Sequence, residues 1–355
     1  MKICVYAIAK NEEKFVNRWY ESVKEADEIF VLDTGSKDNT IKLLKNKNIT
    51  VKQEIIKPWR FDVARNKSLQ MLPKDTDICV CIDLDEVLEK NWRQKLENIW
   101  TKDTTRLKYN YNWSFDEYSN PAVTFYTDKI HKLQGYKWVG PVHEVLKYNS
   151  TEVFKITDKI TVNHYPDNKK PRNYLPLLEL AVKEDPQNDR NMHYLGREYM
   201  YHGKNNKCID TLIKHLNLKT ATWKDERSAS MRFISRSYKN LNRFYEAEMW
   251  LQKAIKETPY LREPYTELAI LYYDNKKYKQ AEEQIKNALK IKTQNKTYIN
   301  EPFCYNSFIY DLMSIIEYNL DKYKESLSYC NTAIKLDPNN QRLINNKKII
   351  EKALN

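Results

Sequence analysis

Three acids in four residues, Asp83-Leu84-Asp85-Glu86, follow directly on the apolar run Ile78–Ile82. Carboxylates crowded at the end of a buried strand are costly without a counter-charge. Hard divalent cations such as Mg2+ or Mn2+ take oxygen ligands and commonly share them with substrate phosphates. Residues at i and i+2 after a strand can face one crevice, so Asp83 and Asp85 point to metal-assisted chemistry on a phosphorylated substrate. Two further polar clusters end apolar runs: Lys10-Asn11-Glu12, and Asp33-Thr34-Gly35-Ser36-Lys37-Asp38-Asn39. Asp33 and Asp38 also suit Asx turns or helix caps, and Arg65 suits a surface ion pair. Dinucleotide, P-loop and serine-hydrolase chemistries have no support, because GxGxxG, the Walker loop and GxSxG are all absent.

The elements that must position these clusters alternate. Lys2–Ala9, Glu28–Leu32, Thr50–Ile56 and Asp77–Ile82 read as strands. The amphipathic segments Glu12–Val23, Thr40–Lys47 and Asp62–Leu72 read as helices between them. Such alternation predicts a mostly parallel sheet with helices on both faces. Ligands of these sheets bind at the carboxyl ends of the strands, where Asn11, Asp33 and Asp83 fall. Trp138-Val139-Gly140-Pro141 reads as a loop leading into His143-Glu144.

Residues 3–88 resemble a family-2 glycosyltransferase of the GT-A fold. The likeness rests on four motifs in order: Ala9-Lys10-Asn11-Glu12, Asp33 to Thr40, Ala64-Arg65-Asn66 and Asp83-Leu84-Asp85-Glu86. It continues more loosely through Gly140-Pro141-Val142-His143-Glu144 into the C-terminal half. That layout is similar to bacterial transferases with a tetratricopeptide tail, some of which glycosylate peptides. The resemblance implies an α/β GT-A domain with a Rossmann-like mixed sheet over residues 1–165. An all-α tetratricopeptide-repeat domain over 166–355 would follow. It also implies inverting transfer of a hexosyl or N-acetylhexosaminyl group from a nucleoside-diphosphate donor, UDP first, with Mn2+ or Mg2+.

By the same resemblance Asp33 meets the uracil or ribose, Asn11, Glu12 and Arg65 hold the base and diphosphate, and Asp83 faces the ribose. Asp85 coordinates the metal and His143 completes its shell, with His164 the competing histidine. A carboxylate must take the acceptor's proton; Glu144 is the first candidate, then Asp116 and Glu117. Trp59, Trp113 and Trp138 could stack on a sugar, although core packing is the commoner use of such residues.

The second half is helical and repeats itself. Tyr238, Ala247, Leu251 and Ala254 recur 34 residues later as Tyr272, Ala281, Ile285 and Ala288. Leu195-Gly196 with Tyr199 and Ser326, Cys330, Ala333 mark outer copies. This is the period of tetratricopeptide repeats, giving three firm repeats, one degenerate copy and a polar capping helix over Asn340–Leu354. Such repeats would hold the acceptor, a peptide or protein first and a glycan second, and they offer a surface for homodimerisation. Modified nucleic acid ranks third. The formal net charge is +12 and the excess lies mainly in the second half, but the lysines are spread over helix faces. Scattered cysteines without a CxxC pair fit a reducing cytoplasm. No apolar run is long enough to span a bilayer, and Ile3–Ala9 is too short for a signal peptide. The rival readings are a non-catalytic repeat scaffold and a nucleotide-sugar pyrophosphorylase, the latter disfavoured by the absence of a glycine-rich first loop.

Overall fold

The computed structural model describes residues 1–169 and 173–354. They divide into two compact units, Met1–Ala181 with Lys296–Tyr298, and Val182–Asn295 with Ile299–Asn355. In chain order the first unit begins with β1 (Ile3–Ala9), α1 (Glu13–Val23), β2 (Glu28–Asp33), α2 (Thr40–Lys45), β3 (Thr50–Gln53), α3 (Phe61–Leu69) and β4 (Ile78–Cys81). It continues with β5 (Glu86–Leu88), α4 (Trp92–Ile99), β6 (Arg106–Phe115), β7 (Pro121–His131), β8 (Tyr136–Val139), β9 (Val145–Tyr148) and β10 (Phe154–His164). Helix α5 (Leu175–Glu184) runs across the division between the units.

Eight strands form one sheet in the order β3-β2-β1-β4-β7-β6-β10-β5. β1 is apolar throughout because both of its faces are covered. Ile3, Val5 and Ala7 pack with Val16, Trp19 and Val23 of α1, while Cys4 and Tyr6 pack on the other face with Leu69 and Trp138. β3, β2, β1 and β4 are mutually parallel. The rest of the sheet is mixed, as the resemblance implies: β7 runs antiparallel to β4 and β6 and β5 antiparallel to β10, while β10 runs parallel to β6. The reason is connectivity. β6 and β7 are joined by a hairpin turn at Asp116–Asn120 rather than by a crossover helix. Because β2 and β4 flank β1 on opposite sides, the chain changes direction there, and the ends of β1, β2 and β4 open a crevice.

The stretch read as a loop at Trp138 is instead β8, paired with β9 in a two-stranded ribbon. Tyr136, Trp138 and Leu146 face inward while Lys137 and Lys147 face solvent, the alternation of a half-buried strand. A chain of buried polar groups fixes this ribbon to the sheet. Trp138 Nε1 donates to the Tyr6 hydroxyl at 2.8 Å, and Tyr6 donates to His131 Nε2 at 2.8 Å. His131 Nδ1 in turn donates to the Lys132 carbonyl at 2.7 Å, which assigns the neutral tautomer.

The second unit is built of antiparallel helix pairs: α6 (Asp189–Tyr201) with α7 (Asn205–Asn217), and α8 (Lys224–Asn240) with α9 (Phe244–Glu257). α10 (Arg262–Asp274) with α11 (Tyr278–Lys290), and α12 (Ser307–Tyr318) with α13 (Tyr323–Leu336), continue the series before α14 (Gln341–Leu354). The small residues of the period are the contact points. Ala247, Ala254, Ala281, Ala288 and Ala333 are all fully buried. A Cβ on Gly196 would lie 2.3 Å from Leu212 Cδ2, so α6 and α7 approach too closely for any side chain there. All six cysteines are buried and free. No helix among the described residues is long and apolar enough to cross a membrane.

Burial pushes the His131 imidazole down to about 3. The folded ring stays neutral where the unfolded ring, near 6.5, takes a proton. The unfolded state therefore binds more protons between those values, and stability falls as pH drops through the window. The first unit should lose up to ~1.4 kcal/mol per pH unit from this residue below pH ~6.5. Thermal melts from pH 7 to 4 on wild type and His131→Asn will check this: the variant, already less stable at pH 7, should show a shallower decline. Parallel declines would remove His131 as the cause.

Candidate active site

The crevice starts with two loops that brace each other. Asn11 sits at φ 55°, a left-handed conformation that asparagine tolerates. Its backbone N–H donates to Ser36 Oγ at 2.8 Å, and its side-chain oxygen accepts from Lys37 N at 2.7 Å. Glu12 N donates to Thr40 Oγ1 at 2.8 Å, and Asp38 accepts from Thr40 N and Glu13 N. Asn11, Glu12 and Asp38 thus stitch the end of β1 to the start of α2. Asp38 takes the turn role considered for it.

Asp33 is different. Its Oδ1 accepts from Gly35 N at 3.0 Å, Ser36 N at 2.9 Å and Gln53 Nε2 at 3.2 Å. That is an Asx turn, with Gly35 at φ 113° making the bend. Its Oδ2 is buried and has no hydrogen-bond partner. A buried acceptor left unsatisfied costs about 1–3 kcal/mol. One carboxylate therefore builds the loop with one oxygen and keeps the other enclosed and unmatched.

Arg65, on α3, is the centre of a buried ion-pair network. Its Nη1 and Nη2 grip Asp83 at 2.5 and 2.8 Å, and its Nε donates to Glu144 Oε1 at 2.9 Å. Its side chain is only 5% exposed, so the surface-pair alternative does not describe it. Burial opposes the Arg65 charge, but Asp83 and Glu144 outweigh it and hold the guanidinium charged. Burial likewise opposes ionisation of Asp83, yet Arg65 and Lys129 keep its carboxyl well below the usual range. Lys129 reaches Asp83 Oδ2 at 3.1 Å and Glu86 Oε1 at 2.7 Å, and Tyr111 donates to that same Glu86 oxygen at 2.8 Å.

The rest of α3 holds the opposite wall. Asn66 brackets the Trp138 backbone, accepting from its N–H at 2.9 Å and donating to its carbonyl at 2.8 Å. Asp62 Oδ2 accepts from Gly140 N at 3.0 Å. The sequence flagged Asn66 only as part of a motif and gave Asp62, Glu86, Tyr111, Gln53 and Lys129 no individual role. Apart from Glu86, whose clasp on Asp83 is local, their crevice contacts reach distant parts of the chain and carry no local signal.

Beyond Asp83 the turn presents Asp85, whose backbone carbonyl accepts from Tyr165 N at 2.8 Å. His164 Nε2 lies 3.4 Å from Asp85 Oδ2, and its Nδ1 meets the Trp113 carbonyl at 3.0 Å. Burial disfavours a charged His164, but the Asp85 carboxylate outweighs it and raises its pKa. The Trp113 ring stacks on His164 at 4.5 Å, and Trp113 is 45% exposed. Trp138, by contrast, is core, and Trp59 packs edge-on against Phe61. His143 sits at φ 49° with its ring 5.8 Å from Tyr174. Asp116 accepts from Tyr118 N, Asn120 N and Asn120 Nδ2, closing the exposed β6–β7 hairpin where Glu117 also lies.

These donors can be tested against a divalent ion. Octahedral bonds of ~2.1 Å place neighbouring ligands about 3 Å apart. The Asp85–His164 approach of 3.4 Å is close to that spacing. Among the described residues no group of three His, Cys, Asp or Glu could hold a metal ion. Two such ligands are fewer than a closed structural cage needs. A cleft of about 800 Å3 opens beside His164, walled by Phe15 and Arg18 of α1 and by Trp113, Phe115 and Tyr165. Phe115 and Tyr165 stack at 5.0 Å, with the Arg18 guanidinium 4.9 Å over the Tyr165 ring.

Residues 4–154 match the model of glycosyl transferase family 2, and residues 233–260 and 309–340 match the tetratricopeptide repeat. Among curated proteins the chain is similar to the SPbeta prophage-derived glycosyltransferase SunS of Bacillus subtilis (strain 168), 27% identical over 231 residues. Glycosyltransferase SunS of Bacillus phage SPbeta matches at the same 27% identity. Each match covers 59% of this chain and 52% of the relative, so the chain spans about half the length of the curated relatives it matches. Among solved structures it is similar to MamA, 20% identical with a TM-score of 0.38, covering 46% of this chain and 86% of that one. The chain thus carries a glycosyl transferase family 2 domain over residues 4–154, with tetratricopeptide repeats following it.

Proposed function

We propose that the chain transfers a hexosyl or N-acetylhexosaminyl group from a UDP-sugar to a peptide or protein acceptor, with inversion at the anomeric carbon. The observation that carries this reading is the unpartnered, buried Oδ2 of Asp33 at the sheet's direction change. An oxygen so placed calls for an N–H or O–H donor, which the uracil imide or a ribose hydroxyl supplies. Asp83, gripped as a carboxylate by Arg65 and Lys129, keeps 26% of its side chain exposed for the ribose. Asn11 and Glu12 support the donor by shaping the loop, and Arg65 sets the charge beneath it.

Asp85 and His164 would hold Mn2+ or Mg2+, a choice made over His143 on the 3.4 Å approach. Such an ion, when bound, offsets the charge that develops on the departing diphosphate. Glu144 is assigned the base: its Oε1 is fixed by Arg65, and among the described residues no hydrogen bond engages its Oε2. The acceptor's proton passes to Glu144 as the acceptor attacks the anomeric carbon. Asp116 is a poorer base because its carboxylate closes its own hairpin. The aromatic cleft beside His164 suits the acceptor group, and stacked helix pairs suit an extended peptide or protein. Six buried free thiols accord with a cytoplasmic setting.

Calorimetric titration of UDP and UDP-sugars, with Mn2+ and then with chelator, tests the reading directly. Wild type should bind one uridine compound in a metal-dependent way; no binding by any nucleotide would overturn it. Asp33→Asn should weaken that binding about ten- to a hundred-fold, the value of one buried hydrogen bond. Asp85→Ala should abolish the metal-dependent part while leaving the melting temperature near wild type. Glu144→Gln should keep donor binding but slow transfer at least about 100-fold. Transfer at the wild-type rate would move the base to Asp116 or Glu117.

A further inference from the structure

Lys129 lies near the C-terminal end of β7, remote in sequence from every motif, yet its ammonium joins the two ends of the acidic turn. It is 3.1 Å from Asp83 Oδ2 and 2.7 Å from Glu86 Oε1. Glu86 is the turn's internal clasp. Its Oε2 accepts from Asp83 N at 2.8 Å, and its own N–H donates to the Asp83 carbonyl at 2.9 Å. The Glu86 side chain is 3% exposed, so its charge cannot be met by water. The network is a line of alternating charge, Glu144–Arg65–Asp83–Lys129–Glu86, ending on the Tyr111 hydroxyl. Tyr111 packs near-parallel to His164 at 6.1 Å, and Glu86 pairs with His164 in the β5–β10 register. Lys129 is thus connected to both sides of Asp85: through Asp83 before it, and through Glu86 to the strand that carries His164.

We infer that Lys129 is a positioning residue for the donor site: it clasps Asp83 to Glu86 so that Asp85 and His164 are held in register before any ligand arrives. The inference rests on the metal-assisted donor site proposed above. Two cations, Arg65 and Lys129, serve three carboxylates, Asp83, Glu86 and Glu144, and leave the turn closed without a metal ion. A role limited to local charge predicts the opposite effect on metal. Removing a cation makes the pocket more negative and should draw Mn2+ in more tightly. Removing a clasp lets Asp85 and His164 drift and should weaken it.

The test is calorimetric binding of UDP, titrated against Mn2+, in wild type, Lys129→Met, Lys129→Arg and the double variant Lys129→Met with Glu86→Gln. Lys129→Met should raise the half-saturating Mn2+ concentration and the UDP dissociation constant at least about tenfold. Lys129→Arg, which keeps the charge and can still bridge, should recover most of that loss. The double variant removes the stranded Glu86 charge and so answers the objection that Lys129→Met merely misfolds. It should melt close to wild type and still bind UDP and Mn2+ weakly. Unchanged or tighter Mn2+ binding in Lys129→Met, or wild-type binding in the double variant, would overturn the inference. A wild-type chain that binds no uridine nucleotide with Mn2+ would instead overturn the donor site itself, and this inference with it.

Discussion

The first unit depends on one buried pair, the Arg65 guanidinium on the Asp83 carboxylate. A charge this deep persists only where partners are fixed in place, and removing one member of such a pair typically costs about 3–5 kcal/mol. Here the partners come from two distant parts of the chain: Cys81 and Asp83 from the end of β4 and the turn after it, and Glu144 from the segment before β9. The pair therefore decides where α3 must lie against the sheet. With α3 placed, Asn66 and Asp62 hold the backbone at Trp138 and Gly140, and the far wall of the crevice follows. The geometry of the site is in this sense a property of the fold, set before any ligand binds.

The features legible in the sequence were those written locally. Asp33 with Gly35 and Ser36 forms its turn within four residues, and the acidic turn does the same through Glu86. The apolar runs of β1, β2 and β4 are continuous because their faces are covered on both sides. The 34-residue recurrence marked the helix pairs because close packing demands alanine or glycine at fixed places, and the second unit buries those residues. Non-local pairing wrote no such signal. His164 meets Asp85 only because β10 runs beside β5, a pairing three residues long. Sequence spacing could not show that His164 lies near Asp85, since that approach depends on a strand register. The ribbon at Trp138 was missed for a related reason: four-residue strands are too short for alternation to separate them from a loop.

The repeat unit shows the same limit in its interior. Its apolar contacts repeat like residues at the period, whereas its buried polar contacts pair unlike residues. His193 and His215 both meet Ser230, at 2.7 and 3.0 Å, and Arg232 is buried against Glu267 at 2.7 Å. Arg232 and Glu267 are separated by 35 residues, close to one repeat, so the ion pair joins equivalent faces of successive first helices. Charge of opposite sign at nearly one period's spacing is a pattern that a search for apolar recurrence passes over. It also makes neighbouring repeats non-interchangeable, because Arg232, Arg236 and Lys239 on α8 are matched to Glu267 and Asp274 on α10.

The acids of the crevice divide by how many of their lone pairs the protein already uses. Glu86 accepts at both oxygens and is buried, so it serves the fold. Asp83 is saturated on its inner side and open at its rim. Asp38 and Asp116 are consumed by their own turns. Asp33 alone among these carboxylates has an oxygen that is buried and unmatched. Folding has closed water off from that oxygen without supplying a donor, an arrangement that is stable only because the other oxygen holds three. Counting acids would have placed the ligand at Asp83-Leu84-Asp85-Glu86, the densest negative charge. Counting open valences is what turns the donor proposal toward Asp33 for its recognition end and toward Asp85 with His164 for its charged end.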